Sequence, residues 1–189
     1  MVDTTLTPAG RRVLAAAEDL FYREGIHAVG VDAIAAAAGV TKKTLYDRFG
    51  SKDRLVAAYL RSRDARWRAW LTGEVDQAAP EGRVRLLRTF DALAEWMHRV
   101  GPRGCAFVNA LAELPDPAHP ARVVLADQKR WLLDYLTELA GASDVARPEA
   151  LAAQLLLLHE GAVVGYATGV PADAIGQARA AAAALIEVG

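Results

Sequence analysis

The sequence predicts an all-α protein of about nine helices, with a three-helix helix-turn-helix domain at the N-terminus and a larger helical domain after it. Three observations carry this expectation. Apolar residues recur three or four positions apart along almost the whole chain, the period that lines up one face of a helix. No run of alternating apolar and polar β-branched residues is long enough to argue for a sheet. Glycine and proline divide the 189 residues into helix-sized lengths, and 53% hydrophobic against 24% charged residues supplies enough apolar material for packed cores.

The first helix begins where Thr7 precedes Pro8, a capping hydroxyl followed by a residue whose φ is already helical. Its stripe of Val13, Ala17, Leu20 and Phe21 stops at Gly25. Residues 31–38 form a short second helix with Ile34 inward, ended by Gly39, whose missing Cβ suits a left-handed turn. Thr41 caps a third helix running to about Phe49, with Leu45 and Phe49 inward. Ser51 caps a long fourth helix, about 51–72, with Asp53 at the positive end of its dipole and Leu55, Tyr59 and Trp70 among its apolar residues. This helix is expected to link a domain of residues 1–50 to one of residues 73–189. After a break over residues 72–82, helices are expected at about 83–100, 104–114, 119–140, 148–168 and 172–187. Gly101-Pro102, Pro115-Asp116-Pro117, Gly141, Pro148 and Pro171 set their limits.

The net charge of −1 conceals an uneven distribution. Residues 1–70 carry twelve basic and eight acidic side chains, a net of +4, and the remainder carries ten and fifteen, a net of −5. A basic head suits a polyanion. Cys105, the only cysteine, has no partner for an internal disulfide and reads as buried filler or as a redox sensor. A polar TTLTPAGRR stretch close behind Met1 and the His159-Glu160 pair inside the apolar segment 151–170 point to a cytoplasmic protein without a membrane span. No Gly-rich phosphate loop, GxSxG elbow or HExxH pair occurs, so no catalytic residue, cofactor or metal ligand is assigned.

Function concentrates in residues 31–52, VDAIAAAAGVTKKTLYDRFGSK. A small, apolar helix with Ala35, Ala36 and Ala38 permits a close crossing, a Gly-Val turn follows, and the next helix exposes Thr41, Lys42, Lys43, Thr44, Tyr46 and Arg48 above a buried Leu45 and Phe49. Short polar and basic side chains at the start of a helix are what a major groove about 12 Å wide admits. This stretch, with FYREGIHAV before it, closely resembles the TetR family of transcriptional regulators over residues 13–57. The resemblance implies that Thr41 caps the recognition helix and touches phosphate, and that Lys42, Lys43 and Thr44 face bases or adjacent phosphates. Tyr46 would place its hydroxyl on a phosphate, and Arg48 and Lys52 would add backbone contacts. Gly30 departs from the pattern, standing where the family commonly has a capping Thr or Ser. Residues 103–122 are similar to the ligand domain of one branch of the family. Arg11 and Arg12 reach DNA from an N-terminal arm or stay solvated, and both readings remain open. Arg54, Arg61 and Arg68, seven residues apart, read as a solvated stripe.

The partners expected are a double-stranded DNA operator, a second copy of the chain and an unidentified small-molecule effector. Residues 151–164 are apolar on nearly all sides, and Ile175, Ala178, Ala182, Leu185 and Ile186 share a face of the last helix, which suggests a homodimer through the last two helices. Trp96, Phe107, Asn109, Trp131, His159 and Tyr166 supply aromatic surface and a few polar groups for an effector pocket. The alternatives are a metal-dependent helical-bundle enzyme using His98, His119 and His159, and a helical protein-interaction module.

Overall fold

The computed structural model describes residues 6–78, 82–101 and 103–188. Among these residues it contains no strand and nine helices: α1 (Pro8–Glu24), α2 (Val31–Ala37), α3 (Lys42–Phe49), α4 (Lys52–Asp76), α5 (Gly82–Val100), α6 (Ala106–Glu113), α7 (Pro120–Gly141), α8 (Pro148–Thr168) and α9 (Ala174–Val188). The all-α expectation holds, and most limits fall within two residues of those read from the caps and breakers. The end of α4 does not. It runs through Thr72 and Gly73 to Asp76 because Trp67, Leu71 and Val75, spaced four apart, are all buried. Burial of that stripe outweighs the roughly 1 kcal/mol that a mid-helix glycine costs.

The chain divides into two compact units, Met1–Arg66 with Ala106–Asp127, and Trp67–Cys105 with Gln128–Gly189. Packing therefore groups α6 and the first turns of α7 with the N-terminal helices, whereas the sequence reading placed everything after residue 72 in one C-terminal domain.

In the first unit, α1, α2 and α3 pack on one another around Val13, Ala17, Phe21, Ile34 and Leu45, with Leu55 and Tyr59 of α4 buried as well. The Phe21 and Tyr59 rings lie 5.8 Å apart. Ala35 and Ala38 are buried where the helices cross, but Ala36 is exposed. Two polar ties fasten the later segment. Glu113 Oε2 at the end of α6 accepts the backbone N–H of His27 at 2.7 Å. His119 Nδ1 accepts from the Ala121 N–H at 3.1 Å, which leaves its Nε2 3.4 Å from Asp53 Oδ1.

In the second unit, Leu86, Phe90, Leu93 and Met97 of α5 meet Leu132 and Leu136 of α7, Leu151 and Leu155 of α8, and Ile175, Ala178, Ala182 and Ile186 of α9 in one core. The α8 helix is long and apolar enough, by length and composition, to cross a membrane. Here it serves as a core helix, with Leu151, Ala152, Leu155, Ala162 and Val163 buried. It approaches α9 closely at Gly165, where a Cβ would stand 2.6 Å from that of Ala174.

Two surface expectations are corrected. Arg54 and Arg61 are exposed, but Arg68 is half-buried, with its guanidinium stacked 4.7 Å from the Trp131 ring centroid, so it does not continue a solvated stripe. The α9 residues Ile175, Ala178, Ala182 and Ile186, read as a dimer face, are buried within the chain's own core. A 15-residue helix on a single-layer core must bury one face at home, and only the opposite face, with Ala180, Ala181 and Ala184, is left outward.

Candidate nucleic-acid interface and ligand cleft

The outward face of α3 is built from its ends and its underside. Thr41 has extended backbone, and its Oγ1 accepts the N–H of Thr44 at 3.1 Å, so the cap read from the sequence is present. Gly39 holds φ at +61°, turning the chain from α2 into α3. Leu45 is fully buried and Phe49 nearly so, which fixes the rotation of the helix and sends Lys42, Lys43, Tyr46 and Arg48 outward. The Lys43 side chain is 84% exposed and Tyr46 is 40% exposed.

The remaining predicted contacts are less open. Thr44 is half-buried and its hydroxyl lies 2.9 Å from that of Thr41, so the two hydroxyls share a hydrogen bond. Lys52 is half-buried, with its Nζ 6.0 Å from the Phe21 ring centroid. Gly30 caps α2 without a side-chain hydrogen bond, as its lack of a hydroxyl requires. Arg11 Nη1 donates to Leu6 O at 2.7 Å, and Arg12 Nε donates to Ala38 O at 3.1 Å. Arg12 thus satisfies a carbonyl at the end of α2, a structural use that neither sequence reading included.

Sequence reasoning also missed two carboxylates beside the lysines. Lys42 Nζ lies 3.1 Å from Asp32 Oδ2, and Lys43 Nζ lies 2.8 Å from Asp47 Oδ2. The second pair was legible as an i,i+4 spacing, while the first joins residues ten apart and depends on the turn between helices. Exposed pairs of this kind are worth about 0 to 1 kcal/mol. A phosphate can therefore replace either carboxylate at little cost.

The six residues read as effector contacts are divided between the two units. Phe107 and Asn109 belong to the first unit, and Trp96, Trp131, His159 and Tyr166 to the second. Within the second unit they do separate work. Trp96 sets its ring edge against Trp67 at 5.5 Å, and Trp131 stacks on Tyr135 at 5.3 Å. His159 is buried, and its Nε2 lies 3.0 Å from Thr89 Oγ1. Because Thr89 Oγ1 donates to Leu86 O at 2.7 Å, the imidazole Nε2–H is the donor in that pair. Burial, and then the positive charge of Lys129, push its pKa down to about 3, so His159 is neutral. Of the six, Tyr166 lines a cleft of about 320 Å³ among α5, α8 and α9, whose other walls include Asp91, His98, Asp173 and Arg179. His98 and His159 are in the second unit and His119 in the first, so the three histidines are not collected within either unit.

Residues 13–59 match the family model for bacterial regulatory proteins of the tetR family. Among curated relatives, an uncharacterised HTH-type transcriptional regulator of Mycobacterium tuberculosis is 30% identical over 155 residues, covering 69% of this chain and 74% of that one. The chain belongs to the TetR family. Another relative, the HTH-type transcriptional regulator YjdC of Escherichia coli, is 33% identical over 95 residues, 50% of this chain; the match spans only 48% of YjdC, about half its length. Among solved structures, a TetR-family transcriptional regulator from Streptomyces coelicolor is 34% identical with a TM-score of 0.88, over 96% of this chain and 95% of that one. A TetR-family regulator from Cytophaga hutchinsonii, at 16% identity and a TM-score of 0.82 over 98% of both chains, shares the fold. TetR-family regulators bind DNA and typically dimerise and bind small-molecule effectors. Membership favours a regulatory protein over the metal-dependent enzyme and the protein-interaction module.

Proposed function

We propose that this TetR-family chain is a ligand-responsive repressor that binds a palindromic operator as a homodimer and releases it when a small molecule occupies the C-terminal domain. Residues 1–50 are the DNA-binding part in this reading, and residues 73–189 take the ligand and the partner. The observation that carries it is the outer face of α3, where Lys42, Lys43, Tyr46 and Arg48 project over a fully buried Leu45. Thr41, Thr44 and Lys52 complete the contact set. Thr41 and Thr44 hold the helix start against a phosphate, and Lys52 adds charge beside it.

The partner surface is an apolar stripe on the last two helices. On α8, Leu157 is 72% and Val164 52% exposed, with exposed Gly161 between them. On α9, Ala180, Ala181 and Ala184 are outward, and side chains this small let another helix come close. Two-fold pairing there would present two copies of α3 to half-sites about 34 Å or more apart.

Release follows when a ligand prefers a conformer in which that spacing is wrong. A differential affinity of about 1 to 3 kcal/mol changes operator affinity 5- to 150-fold. Within the first unit, the Glu113–His27 tie connects α6 to the loop between α1 and α2, giving a physical route into the DNA-binding helices. Operator binding is to be followed by fluorescence anisotropy at fixed salt while a compound library is titrated. The proposal expects at least one compound that binds the protein and lowers operator affinity. Compounds that occupy the C-terminal domain with no effect on operator affinity contradict it.

A further inference from the structure

The cleft among α5, α8 and α9 has a chemistry of its own. Tyr166 supplies an aromatic wall, and His98 sets its ring edge-on to it at 5.8 Å. His98 Nδ1 is 2.7 Å from Ala94 O, so the Nδ1–H donates to the carbonyl. Two carboxylates and one guanidinium line the same space. Arg179 is already committed to Asp91, with Nε at 2.7 Å and Nη2 at 3.4 Å from its two oxygens. Asp173 is not neutralised in this way. Its Oδ1 accepts the Gly176 N–H at 3.3 Å, capping α9, and its Oδ2 has no hydrogen-bond partner among the described residues.

The cleft thus offers a carboxylate oxygen without a hydrogen-bond partner among the described residues and the π face of Tyr166, while its Arg179 is paired with Asp91. That combination favours a positively charged, donor-bearing ligand with an apolar body. We propose that the cleft binds a small organic ammonium ion, with the charged nitrogen at Asp173 and the hydrocarbon part against the Tyr166 ring. The volume of about 320 Å³ is at the small end for ligand sites. At roughly 30 Å³ per water-sized group, it holds about ten non-hydrogen atoms. As an effector site, the assignment rests on the ligand-responsive reading above. Arg179 and Gly176 place α9 in the cleft wall, so an occupant there bears on the helix whose outer face carries Ala180, Ala181 and Ala184.

Asp173→Asn makes a clean test, because asparagine caps a helix as aspartate does and tolerates the +55° φ found at this position. Phenethylammonium, neutral 2-phenylethanol and phenylacetate are titrated into the full chain by calorimetry, and operator anisotropy is read in parallel. The expected result is one phenethylammonium per chain, the alcohol and the anion binding at least about fivefold more weakly, and Asp173→Asn removing most of that preference at unchanged melting temperature. Tyr166→Leu should weaken both phenethyl probes. No binding of phenethylammonium at millimolar concentration, a preference untouched by Asp173→Asn, or affinities untouched by Tyr166→Leu overturns the proposal. If those results coincide with another compound that releases operator, the ligand-responsive reading stands and only the cleft assignment falls. If phenethylammonium binds as described but leaves operator affinity unchanged, the cation site is supported and its part as effector site is overturned.

Discussion

Lys43 and Tyr46 stand on the same turn of α3 and bring different chemistry to it: an ammonium on a mobile stem, and a phenol whose ring is partly packed. Each should cost about 1 to 3 kcal/mol of operator binding when replaced by alanine, measured by anisotropy on a fixed duplex. If Lys43 meets phosphate, Lys43→Ala should also lower the slope of log affinity against log salt by about one. Both residues were visible in the sequence, because the apolar spacing of Leu45 and Phe49 tells which side faces out. Their carboxylate neighbours were only half visible, since Asp32 reaches Lys42 through a turn whose geometry no residue count supplies. The setting of His159 was hidden for a related reason. Its burial and its bond to Thr89 join helices seventy residues apart, so the sequence could not show that this imidazole is buried and neutral. With a folded pKa near 3 against 6.5 unfolded, the unfolded chain binds a proton here that the folded chain refuses. Acid therefore favours unfolding, starting below about pH 6.5 and continuing toward about 3, by at most about 1.4 kcal/mol per pH unit. His159→Gln should flatten that part of the curve, so urea unfolding of wild type and variant should converge in the variant's favour from about pH 7 to about pH 5. A constant difference over that range would contradict the neutral buried imidazole.

At the scale of elements, α3 has only eight residues, too few to persist without its caps and its contacts. Thr41→Ala removes the acceptor for the Thr44 N–H and should destabilise the chain by about 1 kcal/mol, and Thr41→Ser should recover most of it. Gly39→Ala should cost about 1 to 2 kcal/mol through backbone strain alone, because a Cβ there would meet nothing within 4 Å. Thermal melts of the three variants check both statements. Helix starts were legible wherever a hydroxyl or a proline marks them, as at Thr7, Thr41, Ser51 and Pro148. Helix ends were legible where glycine adopts a positive φ, and illegible at α4, where tertiary burial of Val75 overrides the weak breaker Gly73. The same competition explains α9: sequence periodicity identifies an apolar face but not whether its partner is the same chain or another. Here the chain's own core claims Ile175, Ala178, Ala182 and Ile186.

For the whole molecule, the contrast between a basic N-terminal third and an acidic remainder was plain in the sequence and agrees with a regulator that meets DNA at one end. The cleft proposed to take a cation was not plain, since its walls come from three helices and its charged residues, Asp91, Asp173 and Arg179, are ordinary surface residues until the fold brings them together. The outward stripe of Leu157 and Val164 predicts the assembly. Leu157→Arg with Val164→Arg should convert a dimer into a monomer in sedimentation velocity, and operator affinity should fall because one recognition helix then binds without the other. A dimer unaffected by both charges would place the partner contact elsewhere.

Selection of bound sequences from random duplex DNA asks whether the exposed face of α3 reads a two-fold symmetric DNA site. Wild type should enrich a palindrome whose half-sites lie about one helical turn or more apart, with binding that weakens steeply with salt, and the variant with Lys43 and Tyr46 both changed to alanine should not enrich it. Recovery of no preferred sequence, or of the same palindrome by wild type and the double variant alike, would contradict that role for α3.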